Sequence, residues 1–122
     1  MSDDGVVVGE PNDDRRMHAA ETALGTVLPA PLRHLLLEGD GRYREDGQWW
    51  VVWRLDEVVE NTLRAWHDGR LRPALIAFGD DGTGAPFCIA AGGGPVVRWS
   101  WIDDDIECVE GPMEEFLAQW VT

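Results

Sequence analysis

Ala74-Leu75-Ile76-Ala77-Phe78-Gly79-Asp80-Asp81-Gly82-Thr83-Gly84-Ala85-Pro86-Phe87-Cys88-Ile89-Ala90 decides the fold class of this chain. Its two apolar runs are short and rich in branched and aromatic side chains. Each reads as a strand, Ala74 to Phe78 after Pro73 and Phe87 to Ala90 in return. The aspartates and glycines between them supply local hydrogen bonds and backbone freedom, so 79–84 reads as a tight turn.

Downstream, Gly92-Gly93-Gly94 predicts a second turn, and Val96 to Ile102 continues the meander. In that strand Val97, Trp99 and Trp101 share one face. Val96, Arg98, Ser100 and Ile102 share the other, which is more mixed, so alternation predicts the Trp99 face as the buried one. Asp103-Asp104-Asp105 then reads as a solvated loop. A closing helix is predicted near Gly111-Pro112, with Pro112 in its first turn and Met113, Phe116, Leu117 and Trp120 on one face.

Upstream, a first helix is predicted from about Asp13 to Leu24, with Met17, Ala20 and Leu24 at helical spacing and Gly25 as its stop. Leu28-Pro29 breaks the chain before a shorter helix carrying Leu32, Leu35 and Leu36, ended by Gly39 to Gly41. The charged, glycine-containing stretch 42–48 predicts a turn or loop. Trp49-Trp50-Val51-Val52-Trp53 predicts a strand covered on both sides, because apolar residues occupy both parities. A third helix is predicted over about Asp56 to Asp68, with Asp56 as its N-cap and Leu55, Val59, Leu63 and Trp66 on one stripe with Val58 and Thr62 beside it. Residues 1–12 form an acidic tail or an edge strand, and 13–122 a single α+β domain.

The 122 residues carry 10 Lys+Arg against 23 Asp+Glu, a net charge of −13. That field repels phosphate backbones, which argues against nucleic acid and anionic membrane and favours a basic protein partner. Solubility is an equally good reason for such acidity. The N-terminus has the wrong charge for a signal peptide, and no apolar stretch approaches the roughly 20 residues that span a bilayer. The expected compartment is the cytoplasm, with Cys88 and Cys108 reduced and Cys88 a buried structural thiol.

Candidate chemistry is sparse. Asp80-Asp81-Gly82 lacks the alternating oxygen ligands and closing glutamate of a calcium loop, so turn chemistry explains it better. His18, His34 and His67 have no cysteine or histidine partner at ligand spacing, and no metal or cofactor is expected. Ser2 and Ser100 are the only serines, and neither sits in a nucleophile elbow. Asp103, Asp104 and Asp105 are three adjacent negative charges that would complement a basic protein patch. Neighbouring rings on a strand point to opposite faces, so at least one of Trp49 and Trp50 must lie off the main core face, beneath a helix or exposed. An exposed one ringed by Asp or Glu would make an interface anchor.

The order of these elements resembles the SMI1/KNR4 (SUKH) family. The resemblance rests on Leu28-Pro29, Leu32 to Leu37, Gly39 and Gly41, the Trp49 to Trp53 strand, Leu55 opening the third helix, the Leu75 to Gly84 strand and turn, Phe87-Cys88-Ile89, Val96-Val97 and Phe116-Leu117. It spans about residues 13–121. Gly92-Gly93-Gly94 departs from the usual short hairpin, and 42–48 hold few family landmarks. The resemblance implies an α+β domain, a mostly antiparallel meander sheet packed by about four helices. It also implies a non-catalytic protein-binding role, in bacterial members often immunity, the neutralisation of a cognate toxin by occlusion. A regulatory or scaffold adaptor of the same family is the alternative. A carboxylate-based hydrolase is the reading from another class, and it requires the two acidic clusters to converge. The partner-binding residues expected are Trp49, Trp50, Asp80, Asp81, Asp103, Asp104 and Asp105, and the oligomeric state is left open.

Overall fold

The computed structural model describes residues 5–83, 85–100 and 102–121. In chain order they form β1 (Val6–Val8), α1 (Asp14–Leu24), α2 (Ala30–Glu38), β2 (Arg42–Arg44), β3 (Trp49–Val52), α3 (Leu55–His67), β4 (Leu75–Asp80), β5 (Pro86–Ala90), β6 (Val96–Ser100), β7 (Asp105–Gly111) and α4 (Met113–Trp120). The fold is α+β, with two antiparallel sheets where one meander was expected. The first has order β1-β2-β3 and the second β4-β5-β6-β7.

Helix α1 starts where Asp13 accepts the Arg16 N–H at 2.8 Å, and it stops at Gly25, whose φ of 75° suits a residue without Cβ. Helix α3 departs from expectation at its start. Arg54, not Asp56, holds the extended N-cap backbone, and the Leu55 N–H donates to Asp40 Oδ1 at 2.7 Å. A carboxylate from a distant turn thus satisfies an N-terminal donor, which local spacing could not reveal. The buried stripe of α3 is Leu55, Val58, Thr62 and Ala65, while Leu63 is 37% exposed. Val59 and Trp66 still pack against the main core, so the inward face of α3 is shifted toward the Val58 and Thr62 side of the expected stripe, where Thr62 is drawn inward. Its hydroxyl donates to the Ala77 C=O at 3.0 Å and accepts the Ala77 N–H at 3.2 Å.

Residues 42–44 are a strand, correcting the expected loop. Arg42 is buried, and its guanidinium donates to the carbonyls of Gly39 (2.8 Å), Gly41 (3.1 Å) and Leu35 (3.3 Å). The charged side chain that argued for a loop instead caps the end of α2. Strand β7 had no counterpart in the sequence reading beyond the loop at 103–105, and Asp105 opens it.

The two sheets meet where the Trp53 N–H donates to the Phe78 C=O at 2.7 Å. A register shift in the β4–β5 ladder between Ala77 and Gly79 accompanies this junction. A Cβ on Gly79 would stand 1.7 Å from the Val51 carbonyl oxygen, so only glycine lets the sheets approach this closely.

One core cluster gathers Met17, Leu32, Leu36, Val51, Val52, Val58, Ile76, Phe78, Phe87, Val96 and Phe116. Fully burying each large apolar side chain there stabilises by about 1.5–3 kcal/mol. A second, smaller cluster holds Ala65, Leu71, Leu75, Ala77, Cys88, Val97 and Trp99. Trp99 is buried as expected and donates its indole N–H to the Arg70 C=O at 2.7 Å. Val96, on the other parity, is equally buried, so both faces of β6 are covered. Trp101 and Gly84, both used in the sequence reading, lie outside the described residues.

Candidate functional site

Trp49 and Trp50 point to opposite sides of β3, as strand geometry requires. Trp49 packs against the main core cluster, in contact range of Gly47 and of Gly82 in the β4–β5 turn. Its indole N–H is buried without a hydrogen-bond partner. Trp50 takes the other side, 5.1 Å from the Tyr43 ring, with the Arg54 guanidinium 5.8 Å from its centroid. Both tryptophans are partly buried. The charged neighbour of Trp50 is thus the cation Arg54, not the Asp or Glu that would ring an acidic interface anchor.

The carboxylates of the β4–β5 turn face inward to different degrees. Asp80 Oδ1 accepts the Gly82 N–H at 2.7 Å, and burial pushes its carboxyl above the usual range against the pull of that bond and of Trp53. Asp81 accepts the Thr83 N–H at 2.9 Å and the Arg98 guanidinium at 2.8 Å, with its side chain only 5% exposed. Burial raises the Asp81 carboxyl, but the bonds from Thr83 and Arg98 outweigh it and leave it below the ordinary value. Arg98 also donates to Glu110 at 2.9 Å, and Glu110 accepts from the Cys108 thiol at 3.0 Å and the Trp120 indole at 3.1 Å. Glu110 likewise ends below its usual range, its burial outweighed by the bonds from Cys108 and Trp120 and by the Arg98 charge. Asp81 is therefore one member of a network tying the turn to β6, β7 and α4.

Asp103, Asp104 and Asp105 occupy the β6–β7 turn and the head of β7, all exposed. Asp104 has a φ of 55°, a left-handed conformation that aspartate tolerates better than most residues. The Asp103 N–H donates to Ser100 Oγ at 3.1 Å, and Asp105 pairs with Arg72 at 2.7 Å. Glu107 follows, 49% exposed and 4.0 Å from Arg98. Glu107, Ile106 and Val109 belong to this surface but were missed by sequence reasoning. The alternation of acid and apolar residues from Asp105 to Cys108 was the available signal for a strand.

Alternate turns of a meander lie at the same end, so the β4–β5 and β6–β7 turns share one end of the four-stranded sheet. They remain separated by β5 and β6, and β4 and β7 stand roughly 14 Å apart at normal strand spacing. A groove of about 580 Å3 lies elsewhere, lined by Ala20, Asp40, Leu55, Val59 and Glu60 among others, and none of the expected partner-binding residues enters it. Among the described residues, no group of three or more His, Cys, Asp or Glu side chains could hold a metal ion. No described helix is long and apolar enough to cross a membrane.

Fold and surface together define a small α+β domain with two antiparallel sheets, helices over its main core and an acidic sheet end. The chain belongs to the SMI1 / KNR4 family (SUKH-1), whose pattern matches residues 11–119. A comparison with curated proteins finds no match.

Proposed function

We propose that this domain is a non-catalytic, cytoplasmic protein-binding module, an immunity protein that binds a cognate toxin and neutralises it by occlusion. Family membership across residues 11–119 carries the reading, since the SUKH family is known for immunity proteins. The charge of −13 supports it. It favours capture of a basic toxin domain and opposes binding to nucleic acid. The acidic sheet end is the face assigned to that capture, with Asp103 and Asp104 exposed and Asp81 holding the turn in place through Arg98. Trp50, beside Tyr43 and Arg54, is the aromatic anchor this reading assigns.

The test is to capture the partner with the tagged domain from the cells that make it, then mix the two purified proteins. A stoichiometric complex that abolishes a toxic activity of the partner is the expected result. A stable complex with no activity lost would indicate a regulatory adaptor instead. Absence of any protein complex would remove both readings.

A further inference from the structure

We propose that the outer edge of β7 is a docking strand, which takes an extended basic segment of a protein partner as one more strand of the sheet. The inference rests on the protein-binding reading above and names the surface and the chemistry of what it binds.

The two outer strands of the four-stranded sheet are treated differently. The outer side of β4 is closed, because Phe78 C=O accepts the Trp53 N–H and both backbone groups of Ala77 are held by the Thr62 hydroxyl. Strand β7 pairs with β6 on one side, and no other strand pairs with it among the described residues. At seven residues it is the longest strand among the described residues. At its head the Ile106 N–H donates to the adjacent Asp105 carboxylate at 2.7 Å.

The side chains of β7 say what an added strand must carry. Val109 pairs with Val97 and Ile106 with Trp99, two residues of the smaller core cluster, so both stand beside it at the edge. They nevertheless remain 63% and 39% exposed, and Ile102 in the preceding turn is 95% exposed. Charges alone would suffice to protect a free edge, whereas exposed apolar side chains call for cover. Around them stand Asp103, Asp104 and Glu107, while the nearby cations Arg98 and Arg72 are engaged by Asp81, Glu110 and Asp105. A strand alternating apolar residues with Lys or Arg would cover Ile106 and Val109 and meet the acids. A second copy of this chain fits worse, because antiparallel pairing of two β7 strands brings their acids together across the new ladder.

The experiment titrates the isotopically labelled full chain with a synthetic peptide of about eight residues alternating Lys and Val, a length matched to β7. Amide shifts and slowed exchange concentrated at residues 105–111 are expected. They should be lost with a Glu–Val peptide of the same pattern and with a Lys–Val peptide N-methylated at alternate amides. Glu107→Lys, at an exposed position that the fold does not need, should weaken binding at least about fivefold. Shifts centred on β1 or on the α1–α3 groove would overturn the proposal, as would equal binding of the N-methylated peptide or no shift at millimolar peptide. Dimerisation through β7 without peptide, seen by sedimentation, would assign the edge to a second copy instead. A captured partner that still binds Glu107→Lys and resists competition by the peptide would end the docking-strand proposal while leaving the protein-binding reading intact. Peptide binding at β7 with no partner captured would do the reverse.

Discussion

Asp80 shows how one carboxylate is tuned by its place in a turn. Burial raises its carboxyl above the ordinary value, so the folded chain binds the proton more tightly than the unfolded chain. Above that folded value the ionised Asp80 subtracts from stability, and the penalty disappears as pH falls through it. Asp80→Asn keeps the oxygen that accepts the Gly82 N–H and removes the charge. It should raise the Tm at pH 7, with the gap to the parent chain closing below about pH 4. Thermal melts across that range measure it, and a lower Tm for Asp80→Asn at neutral pH would contradict the assignment. Asp81 and Glu110 have the opposite sign. Their carboxyls sit below the usual range, so their contribution is present at neutral pH and is lost on acidification. The two neighbouring aspartates thus do different jobs, one strained by burial and the other stabilised by Arg98.

At the scale of elements, the junction of β3 and β4 is the tightest point of the fold. Gly79 adopts no left-handed backbone here, and its requirement is purely one of space against the Val51 carbonyl. Gly79→Ala would have to separate the two sheets or break the Trp53-to-Phe78 hydrogen bond. A cost of at least about 2 kcal/mol is expected, in the range of overpacked cores. Urea unfolding with the m-value held constant would measure it, and a loss below about 0.5 kcal/mol would show that the sheets separate easily. The sequence marked Gly79 as a turn residue, whereas the structure places it at the end of a strand with its face against another strand. The same limit explains β2. A run reading Arg-Tyr-Arg has the composition of a loop, and only a neighbouring helix end can turn Arg42 into a buried cap.

Across the whole molecule, the net charge acts through whichever acids stay exposed and unneutralised. Asp103 and Asp104 are exposed and have no cationic partner among the described residues, while Asp81 and Asp105 are paired with Arg98 and Arg72. Replacing Asp103, Asp104 and Asp105 together by lysine should slow association with a basic partner by about tenfold at low salt and flatten its salt dependence. Stopped-flow association at several ionic strengths measures it, and an unchanged rate at low salt would rule out steering from this end. The exposed ion pair of Asp105 and Arg72 contributes about 0–1 kcal/mol, and circular dichroism of the triple variant checks that lysine at the left-handed Asp104 position leaves the fold in place.

Periodicity and punctuation in the sequence determined the four helices, the β4–β5 hairpin, the buried Trp99 and the absence of a nucleophile or metal-ligand motif, because each depends on residues within a turn or two of one another. Only the tertiary structure decided that the strands divide into two sheets, that Asp40 caps α3, that Asp81 is consumed by Arg98, and that β7 pairs with β6 alone among the described residues. Those outcomes depend on groups brought together from 15 or more positions apart, as the Leu55–Asp40 and Arg98–Asp81 bonds are. Local spacing cannot encode which distant donor will find which acceptor when both leave water.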